Sequence, residues 1–283
     1  MVNIIATNIY NQSITLTNNN LFKLINIDGL NPVKSDIKTI TTENIAGEIY
    51  ATSKDEKRTI IFQFEFDESA KQGLNSLCSI FRKNQIVTLS FDEYYINCYV
   101  ETIDFDMYSE KVPCQIVTQC LYPYFKSNNR FKFNFVTNII NKLEFPTCFY
   151  PSGQKFGEIR DVQTYFINNQ SNIDCGCLIE LNVLSEFNGL TITNLTNGSI
   201  LNVNLSNTLT EGFYMYLDLE SDIKTFKGIN ESGVAVNLLK YINLNTNLFY
   251  LSPNENEIEI STPAVDEKSY IEMSFNYLKD WVM

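Results

Sequence analysis

Arg58-Thr59-Ile60-Ile61-Phe62-Gln63-Phe64-Glu65-Phe66 is the stretch that decides the fold of this chain. Ile60, Phe62, Phe64 and Phe66 fall on one side of an extended backbone, and Ile61, Gln63 and Glu65 on the other. A period of two with one strongly apolar side is a strand half buried in a core. The period then changes. Leu74, Leu77, Cys78 and Phe81 recur at i, i+3, i+4 and i+7, which places them on one apolar face of a helix. Asp67 or Ser69 can cap that helix by accepting a hydrogen bond from a free backbone N–H. Arg82 and Lys83 bring positive charge to its C-terminal end. The period of two returns at Val87, Leu89 and Phe91, turns at Asp92-Glu93, and comes back through Tyr94 to Glu101. Val112, Cys114, Ile116, Thr118 and Cys120 form one more alternating strand, and Pro123 ends it.

Upstream, Ser13 to Leu16 and Phe22 to Ile27 read as short strands around the turn Asn18-Asn19-Asn20, and Asp28-Gly29 as a further turn. Thr39 to Ala51 is β-branched and polar, interrupted by Gly47. Lys54-Asp55-Glu56-Lys57 reads as the charged tip of a long hairpin whose return strand is the Ile60–Phe66 run. Downstream, Ser127 to Lys142 is rich in Asn, Lys and Phe and reads as a connection between domains, with breakers at Pro146 and Pro151-Ser152-Gly153. Beyond it come short strands: Gly176 to Val183, Leu190 to Leu195, Ser199 to Leu205, Gly212 to Leu219, Leu248 to Leu251 and Ile258 to Ser261. Asn188-Gly189 and Asn197-Gly198 have the composition of tight hairpin turns, while Val236 to Tyr241 fits either a strand or one helical turn. Short strands with turn signals between them indicate a β-sandwich.

The order turn, hairpin, strand, helix and closing strands, from Ile27 to Gln119-Cys120-Leu121-Tyr122-Pro123-Tyr124-Phe125, resembles the N-terminal half of the phage distal tail protein family, often called Dit. Its C-terminal domain has counterparts here too. Gly157-Glu158-Ile159 resembles its opening strand, and Leu201 to Leu209 with Thr210-Glu211-Gly212 its central strands. Leu251-Ser252-Pro253-Asn254-Glu255-Asn256-Glu257-Ile258 resembles a Leu-x-Pro-Gly-x-Asn-x-Ile turn, with Asn254 at the Gly position. Ile271 to Tyr277, before Trp281, fits its Tyr-rich last strand. The resemblance implies a mainly β protein. An N-terminal β-sandwich with one α-helix and a long hairpin, at residues 1–140, would form a ring. A galectin-like or carbohydrate-binding-module-like β-sandwich would occupy 141–283. It also implies a structural role at a phage tail tip: a homo-hexameric ring, assembled in the host cytoplasm. The ring would dock the tail tube protein on one side and the hub, a tail-associated lysin or a receptor-binding protein on the other. Ring closure needs a heterologous interface, and Lys54, Asp55, Glu56 and Lys57 are the candidate residues for it. The alternative is a glycan-binding adhesin acting through the C-terminal sandwich, with Tyr214, Tyr216, Tyr241, Phe249 and Tyr250 as the aromatics that could stack on a cell-surface sugar.

Composition narrows the chemistry. At 283 residues there is room for two ordinary domains. Hydrophobic residues make up 44%, with 16 Tyr and 20 Phe, which is a globular composition. No apolar run reaches the ~18 residues of a membrane span, and Met1 to Asn8 lacks the basic and apolar regions of a secretory signal. Net charge is −12, from 33 acidic and 21 basic residues, which argues against stable nucleic-acid binding and suits a conduit that DNA passes without sticking. The one modest basic grouping, Arg130, Lys132 and Lys142, reads as a solvated strand face. The absence of His removes Ser-His-Asp and Cys-His mechanisms and the commonest zinc ligand. Of the seven Cys, only Cys175-Gly176-Cys177 invites a metal or redox reading, and its spacing is not that of a zinc site. The carboxylates Asp104 and Asp106, and Glu255, Glu257 and Glu259, sit at strand spacing, where like charges on one face repel and favour solvent. The expectation is association without turnover, and no cofactor.

Overall fold

Ile60, Phe62, Phe64 and Phe66 are buried in the computed structural model, while Gln63 between them is exposed. The structure describes residues 3–17, 19–42, 46–66, 70–106, 111–136, 140–141, 157–158, 162–209, 211–220, 224–230, 232–238, 248–263 and 269–282. The chain divides into two compact units. The first comprises Met1–Asn129 together with Leu278–Met283, and the second is Arg130–Tyr277. A division at 140 drawn from the sequence has no place for the return of the last residues to the first unit, a long-range event that local patterning does not carry.

In the first unit the elements are β1 (Ile4–Asn8), β2 (Ser13–Thr15), β3 (Lys23–Asp28), β4 (Ser35–Thr41), β5 (Glu48–Asp55), β6 (Arg58–Phe66), α1 (Ala70–Ile80), β7 (Ile86–Phe91), β8 (Tyr94–Phe105), β9 (Val112–Cys120) and the opening of β10 (Phe125–Val136). One antiparallel sheet runs β2-β1-β7-β8-β9-β6-β3. Strand β8 pairs with β7 through Tyr94 to Tyr99 and with β9 through Tyr99 to Phe105. The sheet curls around a core in which the Phe62 ring lies 6.1 Å from Phe81 and Phe22 meets Phe64 edge-on at 5.2 Å. Helix α1 buries Leu74, Leu77 and Ile80, with Phe81 just beyond it. Cys78, expected on that face, is exposed, and Ile80 takes its place. At 100° per residue Cys78 stands a quarter turn from Leu77, whereas Ile80 closes the stripe from the other side. The helix comes close enough to β6 that a Cβ on Gly73 would lie 2.6 Å from the Phe66 ring, so glycine is required despite its helix cost. The capping candidates Asp67 and Ser69 lie outside the described residues.

Two further expectations change here. Strand β6 does not pair back onto the preceding hairpin; it pairs with β3 and β9. The hairpin is instead β4 with β5, from Ser35↔Asp55 to Thr41↔Glu48. Asp55 belongs to the first of these pairs, at the end where the chain enters and leaves, so Lys54, Asp55, Glu56 and Lys57 stand at its root and not at its tip. Residues 127–136, read as a connection, belong to β10: Phe131, Phe133 and Phe135 alternate with exposed Lys132 and Asn134, a period of two hidden by the polar composition.

The second unit contains the rest of β10, β11 (Ile140–Asn141), β12 (Gly157–Glu158), β13 (Val162–Asn169), β14 (Leu178–Val183), β15 (Phe187–Asn194), β16 (Ser199–Leu209), β17 (Tyr214–Asp218), β18 (Thr225–Ile229), β19 (Ala235–Asn237), β20 (Asn254–Ser261) and most of β21 (Ser269–Lys279). One sheet runs β19-β18-β17-β14-β21, with β10 beside β21; the other runs β13-β20-β15-β16. Each has a buried face, Ile179, Leu181, Met215, Leu217, Ile271 and Met273 on one and Ile167, Leu190, Ile192, Leu201, Ile258 and Ile260 on the other. Two such sheets make a β-sandwich. The expected class, mainly β with one helix, a hairpin and a C-terminal sandwich, is therefore borne out. Asn197-Gly198 forms the β15–β16 turn, with Gly198 at φ +73°. Asn188-Gly189 does not turn: it lies inside β15 at an irregularity, where a Gly189 Cβ would meet the Val203 carbonyl at 2.5 Å. Leu248 to Leu251 contributes only a bridge from Leu251 to Cys175. Asn254 does adopt positive φ, +73°. The breakers at Pro146 and Pro151 to Gly153 lie outside the described residues.

Candidate assembly surface

Every described residue of β4 and β5 is exposed. Among the described residues the strands pair only with each other, which leaves both outer edges of the ribbon without a partner strand. Alternation along each strand leaves apolar side chains on both faces, and the register shifts between Lys38 and Thr39. Ile40 stands opposite Ile49 on one face, and Ile37 and Tyr50 lie on the other. Their exposures, 55%, 44%, 61% and 62%, leave about half of each large side chain in solvent. A lone two-stranded ribbon is marginal in water, and exposed edges invite pairing with another chain. This projecting arm is the feature of the first unit best suited to gripping a neighbour.

The arm is held firmly at its root. The Asp55 carboxylate accepts the Ser35 hydroxyl across the ribbon and the Tyr124 hydroxyl from the connection between β9 and β10. Those two donors hold the Asp55 carboxyl below its usual 3.8, against a smaller opposing effect of burial. The Glu56 amide donates to the Lys34 carbonyl at 3.0 Å. Lys54, Glu56 and Lys57 are exposed. The four residues singled out from the sequence thus lie together, but beside the body of the unit. The apolar arm residues Ile37, Ile40, Ile49 and Tyr50 were not singled out. The signal was present: two runs of similar length flank Gly47, each with large apolar residues among β-branched polar ones. The strongly alternating β6 that follows reads as the partner of the second run and hides the pairing of the two runs with each other.

The other candidates settle into structural places. Asp104 and Asp106 are exposed at the rim of an open groove of about 640 Å³, also lined by Ile25, Phe64 and Phe105, where Lys111 pairs with Glu65 at 2.6 Å. Glu255, Glu257 and Glu259 share the outer side of β20 opposite Asn168, Phe166 and Thr164. Arg130 pairs with Glu220 and Lys132 with Glu272, each at 2.6 Å; Lys142 lies outside the described residues. Cys175 and Cys177 are buried, and burial pushes the Cys175 thiol up to about 12 and Cys177 well above its ordinary value, the opposite of an activated thiolate. No group of three His, Cys, Asp or Glu among the described residues could hold a metal ion. Phe249 is core, Tyr250 is half-buried, and Tyr241 lies outside the described residues. Tyr214 and Tyr216 are half-buried on the outward side of β17, where burial first and Glu180 second raise the Tyr214 phenol.

Residues 11–117 match the phage tail protein RIFT-related domain family. No curated protein matches the chain. Among solved structures, the crystal structure of SPP1 Dit (gp 19.1), described as a paradigm of the hub adsorption apparatus of phages infecting Gram-positive bacteria, superposes with a TM-score of 0.62 at 10% identity. The match covers 97% of this chain and 99% of that one. Chains of the phage p2 baseplate in its activated conformation are similar at a TM-score of 0.45, with calcium at 14% identity over 99% of both chains and with strontium at 12% over 100% of both. Residues 11–117 thus match the phage tail RIFT-related domain, and over nearly its whole length the chain has the fold of the SPP1 distal tail protein.

Proposed function

We propose that this chain is a structural component of a phage or phage-like tail tip, which closes into a homo-hexameric ring. The ring joins the tail tube protein to a hub, a tail-associated lysin or a receptor-binding protein, and it is assembled in the host cytoplasm. The family match over the first unit and the full-length fold likeness support a role in a tail; six copies is what the distal tail resemblance implies. The observation that carries the reading is the arm. A ribbon exposed on both faces and both edges, with Ile37, Ile40, Ile49 and Tyr50 uncovered, gains stability by lying against another copy. Lys54, Asp55, Glu56 and Lys57 then belong to the interface as the base from which the arm departs. The chemistry is association, and the acidic balance keeps transiting DNA from adhering.

Light scattering at micromolar concentration and negative-stain microscopy test this, alone and with the tail tube protein. Wild type gives closed rings, and a variant with Ile37, Ile40, Ile49 and Tyr50 all changed to Ser gives protomers with an unchanged melting temperature. A stable dimer that never closes, with or without the tube protein, ends the ring reading.

A second reading has its own observation. The outward face of β14, β17 and β21 sets Tyr214, Tyr216 and Tyr270 beside Glu180 and Glu272, an aromatic and polar mixture of the kind that binds sugars. Binding to host cell-wall glycan that is lost in Tyr214→Ala/Tyr216→Ala would support it; equal binding by both proteins would dismiss it.

A further inference from the structure

Arg58 follows the arm directly, and its side chain is only 2% exposed. All five of its N–H groups are engaged. Nε donates to the Pro123 carbonyl, and Nη1 to the carbonyls of Gly29 and Asn31, each at 2.6 Å. Nη2 donates to the Asp280 carbonyl and, at 3.2 Å, to Asp280 Oδ1. The guanidinium also lies over the Phe125 ring, 4.7 Å from its centre. Asp280 Oδ1 accepts a second bond, 3.0 Å long, from the amide of Val33. Gly29, Asn31 and Val33 lie on the chain that enters the arm, and Arg58 on the chain that leaves it. One carboxylate therefore ties both roots. Its own segment is anchored in the same unit, by Lys279 over the Tyr94 ring at 4.5 Å and by Val282 in the core.

We propose that Arg58 and Asp280 are positioning residues for the arm: the segment 279–282 fixes the direction in which β4–β5 projects, and the arm is set only in a chain that has been made through Asp280 and has docked it. The physical basis is that a buried guanidinium tolerates no vacancy. Without the Asp280 carboxylate it keeps its charge, loses its counter-ion and one of its acceptors, and draws its other partners, Gly29 and Asn31, out of place. Some 225 residues separate the arm from Asp280 in the sequence, so a nascent or truncated chain carries an unset arm and does not enter an assembly. This rests on the arm being the assembly element.

The test is hydrogen exchange on full-length protomers, wild type, Asp280→Ala, Asp280→Asn and Arg58→Lys. The amides of Val33 and Glu56 report on the roots, and those of Ile60 to Phe66 and Val87 to Phe91 on the sheet. Asp280→Ala and Arg58→Lys should speed exchange at the roots by about tenfold or more while the sheet is unchanged. Asp280→Asn should fall between, because its amide oxygen still accepts from Val33. Wild-type exchange at the roots in Asp280→Ala and Arg58→Lys would overturn the proposal. So would parallel acceleration of roots and sheet, which marks a merely structural pair. Ring formation is scored separately. Loosened roots with normal rings leave the positioning intact and remove the arm from the assembly reading.

Discussion

Asn256 illustrates how much one buried amide can organise. Its Nδ2 donates to the carbonyls of Ser252 and Asn254 at 2.8 and 2.9 Å, and its Oδ1 accepts from the Ser252 amide at 2.9 Å and the Asn194 amide group at 2.8 Å. This is why the turn Leu251 to Ile258 holds Asn at that place, and why Asn254 can sit at φ +73° beside it. Asn256→Ala should cost about 1–3 kcal/mol in denaturant unfolding, the penalty of leaving buried partners unmade. A change under half of that lower bound would mean that water replaces the amide. Asp55 makes a prediction in pH. Its folded pKa is depressed by the Ser35 and Tyr124 hydroxyls, so its stabilising effect is full above the ordinary 3.8 and is lost as pH falls through the folded value below it. Exchange at the Glu56 amide should therefore stay flat down to that ordinary value and rise only below it. Asp55→Asn should abolish that rise; a rise that begins well above 3.8 would assign it to another group.

At the scale of elements, what was legible was whatever a single strand or helix settles by itself. The alternations at Ile60 to Phe66, Val87 to Phe91 and Val112 to Cys120 state which face is buried without reference to any partner, and each is buried as read. Pairing is a different matter. Nothing local says that Phe62 lies opposite Ile116 on one side and Ile27 on the other, so β6 was joined to the wrong neighbour and the hairpin tip was misplaced to Lys54–Lys57. Gly189 misled for a related reason. Its lack of a side chain serves a close approach to the Val203 carbonyl within a strand, which resembles a turn glycine in sequence. The arm itself was half legible, as two β-branched runs around Gly47, but its exposure was not, because its composition is that of an ordinary edge strand. Exposure has a consequence for stability. Replacing Asp36 to Lys54 by a short Gly-Ser turn removes no buried side chain among the described residues, so the unfolding free energy should change by no more than about 0.5 kcal/mol, as for other surface changes. Ring formation should fail in the same protein. A large loss of stability would show that the arm packs on its own unit.

For the molecule as a whole, the informative fact is that the first unit is discontinuous in sequence. Leu278–Met283 complete it, with Val282 in the core and Asp280 on Arg58. A separation near 140 into two autonomous folding units is therefore a proposal with a sharp physical test. Removing one member of a buried ion pair costs about 3–5 kcal/mol, and exposing a buried Val side chain about 1.5–3 kcal/mol. Against a total of about 5–15 kcal/mol for a domain, a fragment ending near 140 would lose a large share of its stability. A protease site introduced at 146–153 in the full chain allows the cut to be made after folding. The nicked protein should run as one species in native gel filtration, because the C-terminal fragment still supplies Asp280 and Val282, and the two pieces should part only in denaturant. Asp280→Ala with Val282→Ala should let them part at lower denaturant than the nicked wild type. If the nicked wild type falls into two folded pieces in buffer alone, the first unit is self-sufficient and its last residues are a dispensable tail.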